Sequence, residues 1–283
     1  MTAKVTAFAP AKINLTLHVT DRRADGYHLL DSLVMFADIG DQITAHPAVA
    51  LSLRVKGPMA EGVPTDSGNL MLQAAALLKQ KQGAALELHK DLPAASGIGG
   101  GSSDAAATLR ALSQLWQTRL PTTQEALALG ADVPVCLRPT PQRMAGIGEN
   151  LKPLQGLPNC PVLLVNPGVS VPTPQVFKAL KTADNPPMQA RLPKFATLSE
   201  FIVWLKEQRN DLQEPALQTA PVIADVLTSL SSLPGCALAR MSGSGATCFA
   251  LFTDHKRMQQ AAQKLQQAQP DWWCRTGMLL GAA

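Results

Sequence analysis

Residues 93–106 read PAASGIGGGSSDAA, and four of the five positions from Gly97 to Gly101 are glycine. Glycine leaves backbone N–H groups open to an oxyanion that a Cβ would block. Ser102 and Ser103 follow at the head of an alanine run, where a serine can cap a helix or turn its hydroxyl to a phosphate or a metal. The start of such a helix adds roughly half a positive charge. The run therefore predicts an anion site. It is not a P-loop, because no lysine follows the glycines, and it is not a dinucleotide fingerprint, because Ser102 stands where G-x-G-x-x-G needs its last glycine.

Four further segments could carry chemistry. Lys12 stands in APAKINL, at the head of a strand pattern, and read alone it is a solvated edge charge. Asp132 lies in GADVP, on local grounds a turn aspartate. Tyr27, the one tyrosine of the chain, follows the turn signal Asp25-Gly26 and precedes His28. Ser242-Gly243-Ser244-Gly245 falls between two predicted strands and by itself reads as a hairpin connection.

The elements that must hold these residues follow from periodicity. Ile13, Leu15, Leu17 and Val19 alternate with Asn14, Thr16 and His18, which predicts a half-buried strand. Val49, Leu51, Leu53 and Val55 repeat that period, and Leu86 and Leu88 mark a third strand. Ser32 to Ala45 is β-branched and apolar, with a turn expected at Gly40-Asp41. Helices are predicted over Asn69 to Gln82, along Leu109, Leu112, Leu115 and Trp116 after the glycine run, and as a stub at Gln124 to Leu129. Beyond Pro158 the pattern changes. PVLLVN at 161–166 predicts a buried strand, a helix follows near Gln175 to Lys181, and Asp184 to Lys194 predicts an exposed loop. Helices are expected at Leu198 to Arg209, Val222 to Leu230 and His255 to Ala268, with strands at Cys236 to Arg240, Thr247 to Phe252 and Trp273 to Leu279. This tail predicts an α+β sandwich of its own, hence domains over 1–157 and 158–283.

Composition narrows the class. With 283 residues, 46% apolar and 16% charged, the chain can bury a sizeable core and is not of the disordered type. A net charge of +4 suits an anionic small molecule as well as nucleic acid and decides nothing alone, but no basic stripe with interleaved aromatics points to nucleic acid. Five cysteines with no C-x-x-C pair predict reduced, buried thiols and a cytoplasmic setting. The uncharged stretch from Pro153 to Phe177 is too rich in proline for a membrane helix, so a soluble protein is expected.

Taken in order, the P-A-K-I-N strand, the P-x-x-x-G-x-G-G-G-S-S loop, the G-A-D-V-P turn and the late S-G-S-G-A loop resemble the GHMP family of small-molecule kinases. Within the family, ADGYH together with GADVP and GVSVPT resembles the branch that phosphorylates a cytidine diphosphate-linked methylerythritol in the non-mevalonate isoprenoid pathway. The resemblance covers nearly the whole chain. It implies an α+β, two-domain GHMP kinase fold: an N-terminal β/α domain with the Gly-rich phosphate loop and a C-terminal ferredoxin-like α+β sandwich. It also implies ATP and Mg2+ as cofactors. Asp132 would take the proton of the acceptor 2-hydroxyl, with Lys12 beside it to neutralise charge on the transferred group. Pro93, Ala94, Ala95, Ser96, Gly97, Ile98, Gly99, Gly100, Gly101, Ser102 and Ser103 would cradle the ATP phosphates, with Ser102 available to the metal and Asn69 and Lys90 as further nucleotide contacts. Tyr27 and Phe177 would sandwich the cytosine and His28 would read its edge. Asn14 and Thr173 would hold the methylerythritol end, with Gly243 and Ser244 closing over the reacting groups. Homoserine or a mevalonate-type alcohol stays open as the acceptor, and so does a non-catalytic nucleotide sensor on the same scaffold.

Overall fold

The computed structural model describes residues 4–282. In chain order the first elements are β1 (Val5–Asn14), β2 (His18–Arg22), β3 (His28–Ala48), β4 (Ser52–Lys56), α1 (Leu70–Leu77), β5 (Gly83–His89) and α2 (Gly100–Leu115). There follow α3 (Thr123–Leu127), α4 (Val133–Leu137), β6 (Gln142–Gly146), β7 (Asn150–Pro153), β8 (Cys160–Asn166), α5 (Thr173–Lys178) and α6 (Leu198–Lys206). The chain ends with α7 (Gln213–Thr219), α8 (Val222–Ser231), β9 (Cys236–Met241), β10 (Cys248–Phe252), α9 (His255–Ala268) and β11 (Trp273–Leu280).

Two compact units share these elements, and neither is continuous in sequence. The first comprises the chain up to Lys12, Gly40–Ala94 and Gly99–Pro139. The second comprises Ile13–Ile39, Ala95–Ile98 and the chain from Thr140 onward. In the first unit β5 lies between β4, to which it is parallel, and the second half of β3, to which it is antiparallel. Ala84, Leu86 and Leu88 of β5 alternate into a core completed by Met71 and Ala75 of α1 and Ala107, Ala111 and Leu112 of α2. In the second unit the strands run antiparallel in the order β3, β11, β8, β10, β9, with β2 and β6 also on β3. Ile223, Val226 and Leu230 of α8 and Met258, Ala261 and Leu265 of α9 pack there with Leu163, Val165, Cys248 and Ala250.

The differences from the sequence reading have physical causes. The expected strand from Ile13 to Val19 is interrupted at Leu15–Leu17, between β1 and β2, and every residue in it is buried rather than alternate ones. Thr16, at its centre, is satisfied internally: its Oγ1 accepts from Leu33 N at 2.8 Å, and its O accepts from Ser32 Oγ at 2.5 Å. The turn expected at Gly40-Asp41 is absent, because β3 runs straight through it. Gly40 answers a close approach instead, since a Cβ there would sit 2.3 Å from Ala9 O and 2.7 Å from Pro10 Cα. Gly40→Ala should force β1 off β3 and cost about 1–3 kcal/mol, read as a lowered urea midpoint with unchanged slope.

The first helix stops at Leu77 rather than Gln82, and Lys79 takes a positive φ of 51°. The expected strand at 49–55 is β4, shifted to Ser52–Lys56, with Val49 exposed. The β6–β7 hairpin and α7 are not among the elements predicted from the sequence, and the GADVP turn opens the short helix α4. The loop at 184–194 has no regular structure but is pinned through buried Met188, whose N–H donates to Asp31 Oδ2 at 2.8 Å.

Candidate active site

Lys12, near the end of β1, is buried, and its Nζ lies 2.7 Å from Oδ2 of Asp132, whose side chain is 35% exposed. Asp132 is the N-cap residue of α4, yet its side chain makes no capping hydrogen bond, which leaves the carboxylate to Lys12. Pro134 stands in the first turn of α4, where a missing N–H costs nothing. The guanidinium of Arg110, on α2, donates to Cys136 O in α4 at 2.7 Å and to Phe8 O in β1 at 2.6 Å. One side chain thus ties together the two elements that carry Lys12 and Asp132.

The glycine loop reaches α2 through positive φ at every second residue: Ala95 (48°), Gly97 (74°) and Gly99 (64°). Such alternation gathers N–H groups into an anion-binding concavity. A Cβ on Gly99 would lie 3.2 Å from Cβ of Lys12, so the loop lies against the stem of that lysine. Gly99 is the N-cap of α2 and supplies no side-chain acceptor, which leaves the first-turn N–H groups uncapped. Ser103 is buried and donates its hydroxyl to Pro10 O at 2.8 Å, whereas Ser102 is half-buried.

Two expected nucleotide contacts are engaged by the protein itself. Asn69 caps α1, accepting from Met71 N at 2.8 Å and donating to Pro64 O at 2.6 Å. Lys90 is buried between Asp41 and Asp104, 2.6 Å from each carboxylate. The second oxygen of Asp41 accepts from Asp91 N at 2.6 Å and Leu92 N at 2.9 Å, so the cluster anchors the chain that enters the glycine loop. Burial alone would lower the Lys90 pKa, but the two carboxylates outweigh it and hold the ammonium above its usual range. Burial, countered by Lys90 and reinforced by Asp41, pushes Asp104 up to about 7.

In the second unit, Asn14 donates its side-chain Nδ2 to Ser32 Oγ at 2.8 Å and its backbone N–H to Ser242 Oγ at 3.1 Å. Ser242 in turn donates to Gly97 O at 3.0 Å. Asn14 Oδ1 is buried without a partner, an acceptor open to a ligand hydroxyl or amine. Asn210 donates to Met241 O at 2.8 Å and Gly243 O at 2.9 Å, fixing the late small-residue loop. A Cβ on Gly97 would lie 2.5 Å from Ser242 O, so glycine is required where the two loops meet. Thr173 and Ser244 share a hydrogen bond of 2.7 Å. His28 and Phe177 stack with ring centroids 4.8 Å apart and planes at 21°. The Tyr27 ring is 60% exposed. Burial, then the Arg22 guanidinium, keeps the His28 imidazole below its ordinary pKa and hence neutral at pH 7.

Sequence reasoning missed Ser242, Arg110, Asp41 and Asp104. Only Ser242 carried a signal, as the first member of the S-G-S-G loop already singled out.

The family model for the GHMP kinases N terminal domain matches residues 69–138, and that for GHMP kinases C terminal matches residues 191–271. The chain belongs to the GHMP kinases. Among the relatives of this GHMP kinase, a protein of Cereibacter sphaeroides named 4-diphosphocytidyl-2-C-methyl-D-erythritol kinase is 55% identical, over 97% of this chain and 99% of its own. One of the same name from Dinoroseobacter shibae is 58% identical, over 95% and 93% respectively. A crystal structure described as 4-(cytidine 5'-diphospho)-2C-methyl-D-erythritol kinase superposes with a TM-score of 0.76 at 33% identity, covering 98% of this chain and all of its own. As a GHMP kinase the chain is a small-molecule kinase with ATP as phosphate donor and the two-domain α+β fold of the family. Among the described residues no helix is long and apolar enough to cross a membrane.

Proposed function

We propose that this GHMP kinase transfers the γ-phosphoryl group of ATP to the 2-hydroxyl of 4-diphosphocytidyl-2-C-methyl-D-erythritol, a step of the non-mevalonate isoprenoid pathway. The observation that carries the chemistry is the 2.7 Å Lys12–Asp132 pair set against Gly99, at the uncapped start of α2. Asp132, at 35% exposure, keeps a carboxylate oxygen within reach of an acceptor hydroxyl and takes its proton as the O–P bond forms. Because phosphoryl transfer is largely dissociative, the positive charge of Lys12 and the loop N–H groups contribute mainly by stabilising the equatorial oxygens.

The α2 start suits a triphosphate, since Gly100 to Ser102 present N–H groups that no side chain caps. Among the described residues no group of three or more His, Cys, Asp or Glu could hold a metal. A magnesium ion would therefore be held chiefly by phosphate oxygens, with the Ser102 hydroxyl as its protein contact, and would neutralise charge on the transferred group. The acceptor reading is supported by the His28–Phe177 stack, the neutral imidazole of His28, the exposed ring of Tyr27 and the unpartnered Asn14 Oδ1. It is supported equally by the shared name of relatives at 55–58% identity.

The test is ADP release from purified protein with the cytidyl-linked methylerythritol, homoserine and mevalonate as acceptors. Turnover confined to the first is the expected result, and equal or faster turnover with either of the others overturns the assignment. Phe177→Ala should raise the acceptor KM about tenfold or more with little change in kcat, because base stacking is worth about 1–3 kcal/mol.

A further inference from the structure

A cavity of about 600 Å³ opens between the β6–β7 hairpin and the strap of residues 190–195, and none of its lining residues belongs to the site described above. Leu157 is buried in its wall, with Leu154, Leu192 and Phe195 half-buried beside it, while Lys152, Arg191 and Lys194 form the exposed part. No carboxylate lines it.

The walls are held in place before any ligand arrives. Arg143 grips Asp31 with both prongs of its guanidinium, at 2.7 and 2.6 Å, and donates to Met188 O at 3.0 Å, Gln189 O at 2.9 Å and Ala190 O at 3.1 Å. That fixes one end of the strap. At the other end Ala196 N donates to Glu200 Oε2 at 2.9 Å, Thr197 caps α6, and Phe195 meets Phe201 edge-on with centroids 5.0 Å apart.

Charge around the cavity is unbalanced. Lys152 stands directly across from Arg143 in the β6–β7 register, a like-charged cross-strand pair that is unfavourable by itself. Asp31 matches the charge of Arg143, but among the described residues Lys152, Arg191 and Lys194 have no ion-pair partner. Three uncompensated cations around an apolar hollow of ordinary ligand-site size suit an anion that carries an apolar chain. A guanidinium with two ammonium groups favours phosphate oxygens, which accept the fork and the point charges together.

We propose that this cavity is a second ligand site, for a small phosphate monoester with an apolar chain. The inference does not depend on the acceptor assigned above. The test is calorimetric titration of the full chain, saturated with a non-hydrolysable ATP analogue, with octyl phosphate below its micelle concentration. Parallel titrations use inorganic phosphate, 1-octanol and vesicles bearing phosphatidate headgroups. One-to-one binding of octyl phosphate at least tenfold tighter than phosphate or octanol is expected. In the R191A/K194A double variant that affinity should fall at least tenfold, while melting temperature and kinase turnover stay unchanged. Absence of octyl phosphate binding, binding that the double variant leaves intact, phosphate alone binding as tightly, or binding to vesicles only would each overturn the proposal.

Discussion

Replacing Asp132 with alanine should lower turnover by about 10²- to 10⁴-fold, the usual share of a general base, while ATP binding is retained. The two effects separate because the donor phosphates are assigned to the N–H groups of the loop and the α2 start, none of which the substitution alters. Loss of the carboxylate leaves Lys12, only 4% exposed, without its ion-pair partner, so some loss of stability accompanies the change. Asp132→Asn separates the two consequences: it keeps the shape of the side chain and removes the base. ADP release and calorimetric ATP titration on both variants check the prediction. Near-native turnover in the asparagine variant would place the base elsewhere.

Lys90→Met should destabilise the protein by about 3–5 kcal/mol, because it strands Asp41 and Asp104, 0% and 5% exposed, without their cation. The loss should also depend on pH. Asp104, pushed up to about 7 mainly by burial, binds its proton more tightly folded than unfolded. Between the ordinary carboxylate range and pH 7 the folded state therefore holds more protons, and stability contributed by this group falls as pH rises. Without Lys90 that fall should steepen, since nothing then offsets the second carboxylate. Urea unfolding of both proteins at pH 5.5 and pH 8 reads it out: the gap between them should be smaller at pH 5.5. An equal gap at both values would mean that Asp104 stays ionised throughout.

Much of this was legible where the signal is local. The glycine run, its following helix and the stub α3 are written in short-range chemistry, and PVLLVN at 161–166 reads as the fully buried strand β8 because every position is apolar or ends a strand. What escaped is set by partners distant in sequence. Asp41 beside Gly40 carries the local signature of a turn, and only Lys90, 49 positions away, makes it a buried anion. Arg110 reaches a carbonyl 102 positions back, and Ser242 joins an amide and a carbonyl 228 and 145 positions away. The late SGSG segment could be recognised as a loop, but which hydroxyl bridges and which stays free depends on contacts that no window of sequence contains. Lys90 shows the same limit from the other side, since a lysine near a phosphate loop invites a nucleotide role until its two carboxylates are seen.

The chain passes between its two units five times, after Lys12, Ile39, Ala94, Ile98 and Pro139. No single cut can separate them. A protease nicking at Pro139 would leave β2, the first half of β3 and residues 95–98 on the amino-terminal fragment, and the carboxy-terminal fragment would lack the strand on which both β6 and β11 pair. During ribosomal synthesis every piece of the first unit has been made by residue 139, whereas the second must wait for β11. The four-residue excursion at 95–98 is held by Ser242 and Thr247, translated well over a hundred residues later, so the glycine loop reaches its final shape only once that segment has been made.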